Sequence, residues 1–143
     1  MVVAALGGAL VKRSFPSATI GNEALAGSIG LVVLWCGIGL RLWSFHTLGR
    51  YFTFTVQTSD DQPVISAGPY RVVRHPGSAG LIITVVGVGL SIGNWASLVL
   101  QTSAITAGLV YRIRVEERAL SRDLGGRYES YAASRKRLVP FVW

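Results

Sequence analysis

The sequence predicts an all-α, polytopic membrane protein, with three transmembrane helices, a short N-terminal helix before them and cytosolic helices at the C-terminus. Three observations lead there. Half of the 143 residues are hydrophobic and the mean hydropathy is +0.46, more apolar surface than a soluble domain of this size can bury. From Gly77 to Tyr111 there are 35 consecutive residues without a charge. As one helix that run would be about 52 Å long against a hydrocarbon core of about 30 Å, so it must cross twice. Finally, twelve of the fourteen Lys and Arg residues can lie on one face of a bilayer, which the positive-inside rule makes cytoplasmic. The net charge of +7 is therefore assigned to a membrane surface and not to nucleic acid, for which no aromatic-plus-basic or helix-turn-helix pattern is present.

Met1 to Val11 is apolar but short, and reads as a brief first helix ending at Lys12-Arg13. Those two cations fall on the outer side of the bilayer, a placement the topology does not explain. Ser14 to Asn22, with Pro16 and Gly21, is a connecting loop. Ala24 to Leu40 is the first full span, and Arg41 can snorkel so that Leu42, Trp43 and Phe45 lengthen it. Gly27, Gly30, Gly37 and Gly39 are expected at close helix contacts. His46 to Thr58 has the amphipathic mix of the headgroup layer, and Ser59 to Pro63 is a turn cluster.

After a second turn at Gly68-Pro69, a cationic block (Tyr70, Arg71, Arg74, His75) runs into Pro76, where a helix can begin because the missing N–H would be unpaired there anyway. The N–H groups of Gly77, Ser78 and Ala79 would then face back towards Tyr70, Arg74 and His75 and, with the helix dipole, make an anion site. A bland alternative is a basic flank to a membrane span. Gly93-Asn94 divides the uncharged run into a hairpin of spans at about 77–93 and 95–111, and a cytosolic tail follows over 112–143. Gly125-Gly126 stops the helix leaving the second of these spans, Arg127 to Lys136 forms a short amphipathic helix, and Pro140 stops that in turn. All of this reads as a single membrane-embedded domain, 1–143. The lone Cys36 excludes an intramolecular disulfide, and two separated histidines are too few for an all-His metal site, so no metal is expected.

What sets the basic block apart from a bare flank is a second polar cluster at the mouth of an apolar segment. Arg112 and Glu116 lie four residues apart on one helix face, in the order less favourable for helix stability, and Glu117 points about 100° away. A carboxylate in that position requires a cationic or hydrogen-bonding partner; a ribose diol or a cationic cofactor would serve.

These motifs, in order, carry a resemblance. Gly68-Pro-Tyr-Arg-Val-Val-Arg-His-Pro76, a hairpin, Arg112-x-x-x-Glu116-Glu117-x-x-Leu120, Leu124-Gly-Gly-Arg-Tyr128-x-x-Tyr131 and Arg137-Leu-Val-Pro140 together resemble the isoprenylcysteine carboxyl methyltransferase and phospholipid methyltransferase superfamily, over roughly residues 45–143. The resemblance implies an integral membrane methyltransferase that uses S-adenosylmethionine. It implies cofactor contacts from Gln62, Pro63, Val64 and Ile65 around the adenine, from Tyr70, His75, Pro76, Gly77 and Ser78 around the amino-acid end, and from Glu116 on the other side. Arg112 would project to the acceptor, with Arg74 and Glu117 in support. One departure is visible: Ser78 stands where the family pattern Arg-His-Pro-x-Tyr has its tyrosine.

The expected function is thus methyl transfer to an amphiphilic acceptor reached from the bilayer, either an isoprenylcysteine-type or related lipid-like carboxylate. The alternative acceptor is a phospholipid amine, which must first lose a proton to a base such as His75, Glu117 or Tyr70. The alternative of another class is a small non-catalytic membrane scaffold. An arginine-rich cation set suggests a bacterial inner membrane, with the site and C-terminus cytoplasmic; no nucleic-acid partner is expected, and oligomeric state stays open.

Overall fold

The structure, a computed structural model, describes residues 2–49, 66–139 and 143. Gln62, Pro63, Val64 and Ile65, expected to line the adenine, lie outside the described residues. Within them the protein is helical: α1 (Val2–Ser14), α2 (Glu23–Leu48), a 3-10 turn (Gly68–Arg71), α3 (Pro76–Ile92), α4 (Trp95–Leu124) and α5 (Gly126–Ala133). Two isolated bridges, Thr19 with Asn94 and Val73 with Lys136, are the only strand-like pairings described.

Among the described residues one helix, α2, is long and apolar enough to cross a membrane. Its large side chains Leu25, Ile29, Leu31, Val32 and Trp35 are exposed, as a lipid-facing surface requires. Three crossings are not established by length. At 17 residues α3 is about 25 Å long, and α4, though 30 residues, carries Gln101, Thr102 and Ser103 mid-way and a charged C-terminal half.

The chain divides into two compact units. The first comprises Met1–Gly39 and Gly80–Gly108. In it α2 and α3 approach until a Cβ on Gly37 would strike Thr84, one on Gly30 would strike Ser91, and one on Gly87 would strike the Leu34 backbone. Gly27 and Gly39, expected at such contacts, face open space, because they lie on other faces of the same helix. Gly93 turns the chain between α3 and α4 at φ 68°, a region favouring glycine. Asn94, fully buried, then caps α4: its Oδ1 accepts the Ser97 N–H at 3.0 Å while its Nδ2 donates to the Phe15 carbonyl at 2.9 Å. Lys12 is explained here too. Its ammonium donates to the carbonyl of Ile92, the last residue of α3, at 2.9 Å and pairs with Glu23 at 3.2 Å, so it serves the negative end of a helix.

The second unit comprises Leu40–Ala79 and Leu109–Trp143. Its core includes Val73, Leu109, Ile113, Tyr128 and Leu138, and His75 and Glu117 are buried with them.

Candidate functional site

The site residues within the described chain all belong to the second unit. Gly68, at φ 53°, starts the 3-10 turn with Pro69 at its second position, and the N–H groups of Val72 and Val73 fold back onto the Pro69 carbonyl. From there the chain runs beside the C-terminal segment. The Arg74 N–H donates to the Lys136 carbonyl at 2.8 Å and the His75 N–H to the Arg137 carbonyl at 2.9 Å. This pairing holds Arg74, His75 and Arg137 together before α3 begins at Pro76.

Glu117 of α4 is the common partner of all three. Its Oε1 lies 2.6 Å from Arg74 Nη1 and 3.3 Å from His75 Nε2, and its Oε2 lies 2.6 Å from Arg137 Nε. Burial would raise this carboxyl's pKa, but the hydrogen bonds from His75 and Arg137 and the Arg74 charge outweigh it and hold the pKa at about 2. An ionised carboxylate can only accept, so His75 Nε2 carries a proton towards it. Glu117 therefore ties α4 to the turn block and to the C-terminal segment at once.

Glu116, its neighbour, is in a different situation. Its side chain remains 34% exposed, and Oε1 stands 4.0 Å from His75 Nδ1. Tyr70 lies close enough to feel the same carboxylate: burial, then Tyr131 and Glu116, push the Tyr70 phenol above its usual pKa. The backbone carbonyl of Tyr70 is held by the Tyr131 hydroxyl at 3.0 Å. So His75 of the turn block approaches Glu116, some forty residues on, and Tyr70 lies within reach of the same charge.

Not every expectation about the helix start holds. The N–H groups of Ser78 and Ala79 both donate to the His75 carbonyl, at 3.1 and 3.0 Å, because His75 occupies the N-cap position. Two of the three donors expected to be free for an anion are thereby occupied. Arg112 is exposed, and Gly77 and Ser78 are half-buried, with Gly77 against Ser44 and Phe45 of α2.

Four side chains join the cluster without having been singled out as site residues. Arg137 and Tyr131 were visible only as members of a motif. Tyr128 is 4% exposed, and burial and the nearby Glu117 push its pKa up to about 12 against the lowering pull of Arg74. Arg41, read as a snorkelling residue, donates from Nη1 to the Gly77 carbonyl at 3.0 Å.

The class of protein that this helical fold and carboxylate-centred site define is the phospholipid methyltransferase family: its model matches residues 25–127, and the chain belongs to it. The chain is similar to the probable protein-S-isoprenylcysteine O-methyltransferase of Oryza sativa subsp. japonica, 34% identical over 116 residues that make up 80% of this chain and 61% of the relative. It is likewise similar to the protein-S-isoprenylcysteine O-methyltransferase of Saccharomyces cerevisiae, 28% identical over 134 residues, 90% of this chain and 56% of the relative. Among solved structures, the eukaryotic intramembrane Ras methyltransferase, isoprenylcysteine carboxyl methyltransferase, superposes with a TM-score of 0.82 at 26% identity, over 99% of this chain and 51% of that one. The chain thus spans about three-fifths of the length of the curated relatives it matches.

Proposed function

We propose that the protein transfers a methyl group from S-adenosylmethionine to the carboxylate of an amphiphilic acceptor reached from the membrane. The observation that carries this reading is the approach of His75 Nδ1 to the partly exposed Glu116 carboxylate at 4.0 Å, with Tyr70 near enough to feel the same charge. That donor set fits the cofactor: an ionised carboxylate answers a cationic or diol-bearing ligand, and a tyrosine beside it gives an aromatic wall. In this reading Tyr70, His75, Pro76, Gly77, Ser78 and Glu116 hold the cofactor, together with Gln62, Pro63, Val64 and Ile65. Arg112 orients the acceptor, and Arg74 and Glu117 are positioning residues, since Glu117 is spent on holding Arg74, His75 and Arg137.

Bound there, S-adenosylmethionine would supply the methyl from its sulfonium, with the neutral thioether as leaving group and a carboxylate oxygen of the acceptor as the receiving atom. A carboxylate acceptor has no proton to lose, so the protein's task is alignment and desolvation. An amine acceptor would need a base, and two of the three groups that could serve are set against it. Glu117, at about 2, is too weak a base, and Tyr70, pushed upward, stays a neutral phenol. The third, His75, directs Nε2–H at Glu117 and so has Nδ1 as its one proton-accepting nitrogen, the single base of the three left to an amine acceptor. This favours O-methylation over N-methylation.

As part of the same proposal, α3 and the apolar half of α4 cross the bilayer as a hairpin beside α2, and the site faces the cytoplasm. Support comes from the 35 uncharged residues and the concentration of arginine after Tyr111. Calorimetry on detergent-solubilised protein tests the cofactor assignment. S-adenosylhomocysteine should bind, and Glu116→Ala should weaken it tenfold or more, as loss of a hydrogen bond to a charged group would. Absence of binding, or unchanged binding in Glu116→Ala, would refute it. Incubating membranes with methyl-labelled cofactor should place the label in a base-labile ester fraction, and label in phospholipid amines would favour the other acceptor.

A further inference from the structure

Arg41 is the only Lys or Arg in α2, the helix apolar enough to cross a membrane, and a guanidinium there is costly unless it serves a polar task. Snorkelling to water would be such a task, but it gives no reason for the direction the side chain takes. Nη1 donates to the carbonyl of Gly77, in the first turn of α3, at 3.0 Å. The guanidinium carbon lies 4.8 Å from the ring centroid of Phe45, one helical turn further on, so the ring supports the head group in that position. Both contacts fall within the second unit.

What this hydrogen bond does follows from how else the first turn of α3 meets α2. Gly77 has no side chain, and a Cβ there would be in ordinary contact with Phe45 and Ser44, at 3.5 and 3.7 Å. The turn therefore lies against α2 with room for a methyl group, and apolar contact has no preferred direction that would stop it rotating. Ser44, fully buried at the same place, spends its hydroxyl on the Leu40 carbonyl of its own helix at 2.7 Å. Arg41 supplies the directional contact that these neighbours lack. The Gly77 carbonyl can take it, because its second lone pair is left over when the first serves the helix. His75 moves with this turn, since its carbonyl accepts the N–H groups of Ser78 and Ala79 at 3.1 and 3.0 Å. Its ring places Nδ1 4.0 Å from Glu116.

We propose that Arg41 is a positioning residue of the cofactor site: by holding the Gly77 carbonyl it fixes the first turn of α3, and with it His75, in the orientation that faces Glu116. It acts through Gly77 and not by touching the cofactor. This rests on the reading of His75, Pro76, Gly77, Ser78 and Glu116 as cofactor contacts, and adds to them a residue of α2 that lies outside every motif of the family resemblance.

Calorimetry of S-adenosylhomocysteine binding to the full chain in detergent compares the native protein with Arg41→Met, Arg41→Gln and Arg41→Lys. Methionine keeps an apolar stem without a donor, glutamine puts its N–H groups on a shorter neutral side chain, and lysine keeps a cationic donor of nearly full length. Arg41→Met and Arg41→Gln should each weaken binding about tenfold, the scale of one hydrogen bond from a charged group, while Arg41→Lys should stay within about threefold of native. The same titrations give stoichiometry, which separates positioning from bare stability. A merely structural Arg41 would lower the fraction of molecules that bind and leave those that bind at native affinity. That result overturns the proposal, as does a loss in Arg41→Lys as large as in Arg41→Met. Should Arg41→Met not fold, Arg41→Gln is held to the same two criteria. Absence of S-adenosylhomocysteine binding in the native protein is a different failure, which removes the cofactor assignment itself and the proposal with it.

Discussion

Two adjacent glutamates have opposite physical roles. Glu117 is 8% exposed and serves two arginines and a histidine, whereas Glu116 is left partly exposed beside His75. Removing one partner from a buried ionic cluster strands the rest, so Glu117→Gln should destabilise the protein by about 3–5 kcal/mol at pH 7, read as a lowered thermal unfolding midpoint in detergent. Glu116→Gln should change stability little and ligand binding strongly. The Glu117 effect carries its own pH signature. Its folded pKa, about 2, lies below the unfolded value of 4.5, so its stabilisation is fully present above pH 4.5 and is lost as pH falls towards 2. Discounted for screening, the loss is about 2–3 kcal/mol. The stability gap between the native protein and Glu117→Gln should therefore narrow from pH 5 to pH 2; a gap constant over that window would show that the carboxylate is not clamped as described.

At the level of elements, the contacts that place the helices are small residues and one buried amide. Asn94 holds α4's first turn and the Phe15 carbonyl at once. Asn94→Ala should cost about 1–2 kcal/mol, the loss of a cap and of one of the two hydrogen bonds to the Phe15 carbonyl, and would appear as a lower unfolding midpoint with ligand affinity per folded molecule unchanged. Gly87→Leu should be worse, because its Cβ would meet the backbone of Leu34 rather than a side chain that can swing away. Much of this was legible in the sequence: the turn at Gly93-Asn94, the end of α4 at Gly125, and the start of α3 at Pro76 follow from backbone chemistry local to those residues. Which glycines face a neighbour was not, since Gly27 and Gly30 look alike until a partner helix is in place. Lys12 and Arg137 were illegible for the same reason: each is explained by an atom distant in sequence, the Ile92 carbonyl and the Glu117 carboxylate. The occupied N–H groups of Ser78 and Ala79 turn on a cap that a sequence pattern does not distinguish from a free helix start.

For the whole molecule, the question is how many helices cross the bilayer, and α4 decides it. A continuous helix of 30 residues is about 45 Å long, more than the hydrocarbon thickness, and its charges begin at Arg112. If its uncharged half crosses, the two ends of α4 lie on opposite sides of the membrane. The loop before α2 reports the first end, because the Ala18 carbonyl accepts the Trp95 N–H at 2.7 Å, and Ser17 beside it is exposed. Arg122, exposed near the other end, reports the second. In a Cys36→Ser background the only thiol is then one placed at will. In sealed vesicles, an impermeant maleimide should label Ser17→Cys and Arg122→Cys from opposite faces, with Arg122→Cys on the cytoplasmic one, where an arginine-rich segment is retained. Labelling of both from the same face would mean that α4 does not cross. The carboxylate-centred cluster on its charged half would then need another route to a lipid-borne acceptor.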